Sequence, residues 1–484
     1  MYRAPVKPPA PTDADQARWD ESSKRKRLIM GAWRVDLERS LSEHLPPDRR
    51  EAWGPSDLSS NPFEMITRQL SVLYHENPSV TNAEGDISSL IGRSGLVTLA
   101  GLWPLMQRAQ QLVLGMRETI IRIDVTPADQ NIALMNSQLQ YRIVTSDLVY
   151  LEAHPDQPDR PVYYIEYRIR KDEKGEGCWI ADCMDIRDPS KPKYSMHKVN
   201  QGGELGIDVS DQYMGQSLTG ESYPYRDKEG RPFLPIVLYH AEKTGHLWDA
   251  FTGKSQVEGS IVSACLFTMW VHLVKDSCWA QKYIAGLSVA GLNQMDQDQI
   301  ARRSAISTDP SSILVFSQDP DAQGQPLVGT FNVPVDPANL LESIAQYETR
   351  VALAAGISPS DITRQNADPR SGAALAVSRA GQRESAKKYA PIFRLGDEEL
   401  LAKSAMLSNR YLSTNLPESG YRVSYHSLPL APEEIRAQRE DIIQKMNAGL
   451  MSPVQAIMRM YDDMDELEAK QLLNQIRRDR AEYN

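Results

Sequence analysis

The spacing of apolar positions changes period along the chain. Over residues 15–117 it is helical: Phe63, Ile66, Leu70 and Leu73 or Tyr74 recur every three to four residues before Pro78 stops the run. A further helix over 96–117 would carry Leu99, Leu102, Met106, Ala109 and Val113 on one face. From about Glu118 the period falls to two. Residues 119–125, 141–144, 147–151 and 162–169 are rich in β-branched and aromatic side chains, which predicts a sheet closed by a strand over 232–239. Polar, glycine-containing stretches at 172–177 and 200–203 read as its loops.

The period then returns to helical. Residues 248–286 read as one long helix whose repeat runs Val257, Ile261, Ala264 or Cys265, Thr268, Val271 or His272, Lys275. From 254 to 284 it would be about 46 Å long, and a helix so apolar needs other helices around it. A compact insert follows at 287–336: a short helix near 296–305, a strand at 313–316, a turn at 319–324 and a strand at 327–333. Asp336-Pro337 is an N-cap and first-turn pair opening a second helix, with the seam Leu340, Ile344, Tyr347, Val351, Ala355 and with Gly356 at its end. A polar loop, 358–370, leads into a helical stretch over 371–412, where Pro391 predicts a kink. A strand at 421–425 and a helical tail, broken at Gly449 and restarted at Ser452-Pro453, complete an α+β, mostly helical chain.

Composition narrows the chemistry. The formal net charge of -10 disfavours a protein that wraps nucleic acid, because such proteins neutralise phosphates with Lys and Arg. It suits a conduit that DNA slides through without sticking. The insert carries six Asp, no Glu and two Arg, for a formal charge of -4. The run Lys24-Arg25-Lys26-Arg27 reads as a solvated helix face, and the Pro-rich residues within 1–14 as a flexible start. Cys178, Cys183, Cys265 and Cys278 lack the spacing of a zinc site. Gly253-Lys254-Ser255 resembles the end of a phosphate-binding loop, but Trp248 stands where the first glycine is required. His240 and His246 do not have metal-ligand spacing, and no nucleophile-base arrangement is evident, so neither a cofactor nor a metal nor a catalytic role is expected. The apolar run 259–274 is too short to span a bilayer and is broken by Ser260, Ser263, Thr268 and His272, so no membrane partner is expected.

The helix, small α/β insert, helix, loop, long helix order resembles that of tailed-bacteriophage portal proteins. Local segments are similar too: 61–78, where Asn precedes an apolar helix ending in Tyr and Pro; Ala355-Gly356-Ile357-Ser358-Pro359, with Ser358 where a second proline is common; and Ser371-Gly372-Ala373-Ala374-Leu375 at the start of the long helix. The resemblance implies a wing over 15–247, stem helices over 248–286 and 337–357, a clip over 287–336 and a tunnel loop over 358–370. It implies a kinked helix and returning wing strand over 371–430 and a crown over 431–484. It further implies a dodecameric ring in the virion, assembled in the bacterial cytoplasm, with the terminase large subunit, the major capsid or scaffold protein, a head-completion adaptor and double-stranded DNA in transit as partners. Arg364, Gln365, Asn366 and Arg370 would then face the DNA. Asp296, Asp298, Arg302, Arg303, Asp319 and Asp321 would dock motor or adaptor. The two tunnel-loop arginines either touch phosphates or pair with acids of the adjacent subunit. The other readings are a ring-forming head-tail adaptor, a class usually much smaller than this chain, and a nucleotide-dependent DNA-handling enzyme, which the Trp248 mismatch disfavours.

Overall fold

The computed structural model describes residues 7–45, 56–92, 94–126, 138–171, 177–200, 202–213, 222–278, 281–285, 313–316, 327–331, 336–357, 372–428, 432–460 and 466–483. Among them, more residues lie in helices than in strands, and the strands form several sheets. The Thr12 side chain accepts the Asp15 N–H and starts α1 (Asp13–Ile29) inside the stretch expected to be irregular. Gly31, at φ 75°, turns the chain into α2 (Arg34–His44). Asn61 caps α3 (Pro62–Leu70): its Oδ1 accepts the Glu64 N–H while its amide donates to the Leu28 carbonyl. This helix was expected to reach Tyr74. It ends at Leu70, and Leu73 and Tyr74 are buried from the turn that follows.

β1 (Ser79–Asn82), α4 (Ser88–Ile91) and α5 (Leu96–Leu99) precede α6 (Leu102–Met116). The single helix expected over 96–117 is thus divided, because Gly101 takes φ 67°. Leu99, before the break, is 62% exposed, whereas Leu102, Met106, Ala109 and Val113 are fully buried.

β2 (Glu118–Thr126), β3 (Gln138–Thr145), β4 (Val149–His154), β5 (Gln157–Lys171), β6 (Gly177–Asp185), β7 (Lys193–Val199), β8 (Leu205–Asp208), α7 (Ser210–Tyr213) and β9 (Ile236–His240) make up the sheet region. β4 to β8 form one antiparallel sheet in chain order. β2 pairs with β9, which sets Glu118 opposite His240 and Arg122 opposite Ile236.

The long central helix, α8 (Lys254–Cys278), is shorter than expected. Residues 281–285, assigned above to its end, are β10 (Gln281–Ala285), parallel to β11 (Ile313–Phe316) and antiparallel to β12 (Leu327–Phe331). Tyr283 and Ile284 are strong strand formers, and pairing on both sides satisfies their backbone better than one more helical turn. The chain continues through α9 (Pro337–Ala354), α10 (Gly372–Tyr411, which contains Pro391), β13 (Tyr421–Ser424), α11 (Pro432–Asn447), α12 (Pro453–Met460) and α13 (Glu466–Tyr483).

Contacts divide the chain into two units: Met1–Arg68, Gln111–Arg122 and Ile143–Pro359; and Gln69–Gln110, Ile123–Arg142 and Ser360–Asn484. In the first, Leu28, Trp33, Leu37, Phe63 and Leu112 pack with Val257, Ile261 and Cys265 of α8. Among the strands, Arg122 of β2 is buried between Glu166 of β5 (3.0 Å) and Asp182 of β6 (2.7 Å), and Tyr164 donates to the same Glu166 oxygen (2.7 Å). The basic run expected to be solvated is instead a set of internal ties. Lys24 pairs with Glu258, Lys26 with Asp147 and Arg27 with Asp36, while Arg25 is buried against Glu21 and the carbonyls of Gly115 and Thr252. In the second unit, buried Asp397 accepts the hydroxyls of Tyr74 (2.9 Å) and Tyr425 (2.7 Å), and Tyr141 donates to Ser404 (2.9 Å). β1 pairs with β13 there, and Ser452 and Gln455 bond each other's backbone N–H at the start of α12.

Candidate functional site

The candidate site is the antiparallel pair α8 and α9 with the three-stranded sheet inserted between them in the chain. α8 has 25 residues and is about 37 Å long at 1.5 Å per residue. Gly253 (φ 72°) immediately precedes it. No phosphate cradle forms there: β9 ends at His240, and the ring of Trp248 lies 3.8 Å from the Arg18 guanidinium carbon. α9 is bounded by strong local signals. Asp336 Oδ1 accepts the Ala338 N–H (2.9 Å), and Pro337 occupies the first turn. At the other end Gly356 takes φ 76° and the Ile357 N–H returns to the Ala352 carbonyl (3.1 Å), closing a Schellman turn.

The contacts between the two helices run in opposite chain directions. Gln256 Nε2 donates to the Ala354 carbonyl (3.3 Å), and Gly259 lies against Val351. Further along, Ser263 Oγ donates to Glu348 Oε1 (2.7 Å), and Trp270 Nε1 donates to the Pro337 carbonyl (2.9 Å). Ser60, just ahead of α3, also donates to Glu348 Oε1, and the Asp57 N–H donates to Thr268 Oγ1 (3.2 Å). Polar side chains in the middle of α8 therefore bond within the protein: Ser260 to Gln256, Ser263 to Glu348, Thr268 to Ala264.

The expected α8 repeat is buried at Val257, Ile261, Ala264, Cys265, Thr268 and His272, and the α9 seam at Ile344 and Val351. Glu348 was missed as a member of that seam. Its position, four after Ile344 and three before Val351, is the signal that an acid sits inside an apolar stripe. Not all of α8 is covered. Val262 is 37% exposed, and Leu266, Phe267, Met269, Trp270 and Val271 are only half-buried. Over 254–274 the mean hydropathy is 1.5 with 44% of the window buried, so among the described residues α8 is long and apolar enough to cross a membrane, contrary to the shorter run read above.

The residues singled out for DNA and partner contact, Arg364, Gln365, Asn366 and Arg370, and Asp296, Asp298, Arg302, Arg303, Asp319 and Asp321, lie outside the described residues. So do the short helix expected near 296–305 and the turn at 319–324. Of the insert, β11 and β12 begin where expected, and β10 joins them. Among the described residues, no His, Cys, Asp and Glu cluster has the geometry to hold a metal ion.

No known family profile matches the chain. Among curated proteins, the C6 finger domain transcription factor adaR of Aspergillus niger is 25% identical over 242 residues, 49% of this chain and 28% of that protein. The chain thus spans little more than a quarter of the length of that relative. Among solved structures, a chain from the virion of a native gene transfer agent particle is 14% identical with a TM-score of 0.37, over 83% of this chain and 92% of that one. Chains from the neck of the empty particle, treated with C6 symmetry, and of the native particle, with C12 symmetry, are 13% and 12% identical. Both have TM-scores of 0.39 over 83% of this chain, and cover 92% and 90% of theirs. At such scores the likeness is loose.

Proposed function

We propose that the chain is a non-enzymatic portal-type subunit, which assembles as a ring at one capsid vertex and encloses the channel for viral DNA. The observation that carries this reading is the half-covered apolar helix α8, laced to α9 in antiparallel register, with a small sheet inserted between the two. The uncovered side of α8 suits burial against the same helix pair of neighbouring subunits, because a closed ring covers such a surface on every copy at once. In this reading α8 is a stem helix and not a membrane span, since its polar groups are bonded within the protein.

The clip then begins at β10 rather than at residue 287, and its Asp296, Asp298, Arg302, Arg303, Asp319 and Asp321 meet the terminase large subunit and later the head-completion adaptor. The loop over 358–370 narrows the channel, with Arg364, Gln365, Asn366 and Arg370 toward the DNA. The net charge of -10 favours sliding over gripping. Capsid or scaffold protein surrounds the ring, the terminase supplies the energy, and the subunit binds no cofactor. Deleting residues 366–370 should leave assembly intact and impair DNA packaging or retention. Unimpaired packaging would remove the tunnel-loop assignment.

A further inference from the structure

Arg117 and Glu118 join α6 to β2. Arg117 takes φ 76°, a left-handed conformation uncommon for a residue with a side chain. Its guanidinium reaches Asp249 (2.9 Å) and Glu242 (3.2 Å), and its carbonyl accepts the Ala241 N–H (2.8 Å). The next side chain, Glu118, is fully buried. Its Oε1 accepts the backbone N–H of Asp249, and its Oε2 has no hydrogen-bond partner among the described residues.

Residues 248–252 form the root of α8, and α1 and the turn itself tie them as well. Trp248 stacks beneath Arg18, the Thr252 carbonyl accepts Arg25 Nη2 (2.9 Å), and the Thr252 hydroxyl donates to the Asp249 carboxylate. Glu118 is therefore a buried carboxyl set against the turn from which the helix rises.

The charged groups around it come from four directions: Asp249 on the turn, Arg117 beside it in the chain, Arg18 and Arg25 on α1, and His240 across the β2–β9 ladder with Glu242 beyond. The arginines are engaged elsewhere. Arg18 donates to the Ser146 and Val149 carbonyls and to Asp15, Arg25 to Glu21 and to the Gly115 and Thr252 carbonyls, and Arg117 to Asp249. Burial consequently prevails and, helped by the Asp249 charge, holds the Glu118 carboxyl up at about 8. His240, opposite it in register, is pushed down to about 4 by burial, and its Nδ1 is also unpartnered among the described residues.

We propose that Glu118 is a proton-operated latch on the root of α8: its neutral carboxyl can stay buried beneath the 248–252 turn, whereas its carboxylate, although it binds the Asp249 amide more strongly, has to be hydrated, and that opens the turn. The proton passes to bulk water, and the carboxylate left behind in a buried site draws solvent in. The latch does not depend on the ring reading.

Hydrogen-deuterium exchange on the full chain tests it, with rates corrected for the intrinsic pH dependence of amide exchange. Between pH 6.5 and 9, amides 248–253 should lose protection at least tenfold in the native protein. In Glu118→Gln, which keeps the acceptor but cannot ionise, they should keep it. Should that variant not fold, Asp249→Asn decides: removing the neighbouring negative charge moves the opening midpoint to lower pH. An identical pH response in native and Glu118→Gln proteins, or an unmoved midpoint in Asp249→Asn, overturns the latch.

Discussion

Gly259 of α8 faces Val351 of α9 so closely that a Cβ on the glycine would lie 2.7 Å from Val351 Cγ2. The approach brings the two backbones together and fixes where one helix crosses the other. In Gly259→Ala, the helix-propensity gain of about 1 kcal/mol opposes an overpacking cost of roughly 1–3 kcal/mol, and the stiff, β-branched Val351 cannot swing away. Thermal melts should show a net loss in Gly259→Ala that Val351→Ala partly restores in the double mutant.

Glu348 Oε1 gathers the hydroxyls of Ser60 and Ser263 at the same interface. Glu348→Ala leaves the buried Ser263 hydroxyl without its acceptor, at a cost of about 1–3 kcal/mol. Denaturant titration should find a lower midpoint in Glu348→Ala, and a smaller loss in Glu348→Gln, which retains an acceptor oxygen.

Arg122 compensates two buried carboxylates at once. Arg122→Ala should cost up to about 3–5 kcal/mol, the usual effect of breaking a buried ion pair, with Arg168 left beside both Asp182 and Glu166. Circular dichroism and solubility would register it, and a variant as stable as the parent would mean that the network contributes nothing to folding.

The pH dependence of stability has a definite sign. Glu118, raised from 4.5 to about 8, contributes stability that is complete below pH 4.5 and is lost as pH rises through about 8. His240, lowered from 6.5 to about 4, contributes the opposite slope between those values, because the unfolded chain gains a proton that the fold excludes. The two nearly cancel from pH 4.5 to 6.5. Above that only Glu118 remains, so stability should fall by roughly 1–2 kcal/mol from pH 6.5 to 8. In Glu118→Gln the curve over that window should be flat.

Much of the fold was legible where local signals agree with tertiary packing. Asp336-Pro337 and Gly356 mark α9 at both ends, and the α8 repeat from Val257 to His272 is the face that is buried. Misreadings fall where a distant partner decides. Residues 281–285 continue a helical pattern, yet β11 and β12 recruit them as a strand, and nothing local announces partners so far along the chain. Likewise Lys24 to Arg27 look like any basic surface run, because the acids and carbonyls that bury them come from four other segments. Glu118 and Glu348 were not singled out, since a single acid in an apolar pattern signals burial without naming its neighbours.

The uncovered side of α8 makes self-association the most direct test of the whole account. Purified full-length protein at micromolar concentration should appear in electron micrographs as rings with a central channel and weigh many times one subunit by mass photometry. A stable, well-folded monomer at that concentration would contradict it.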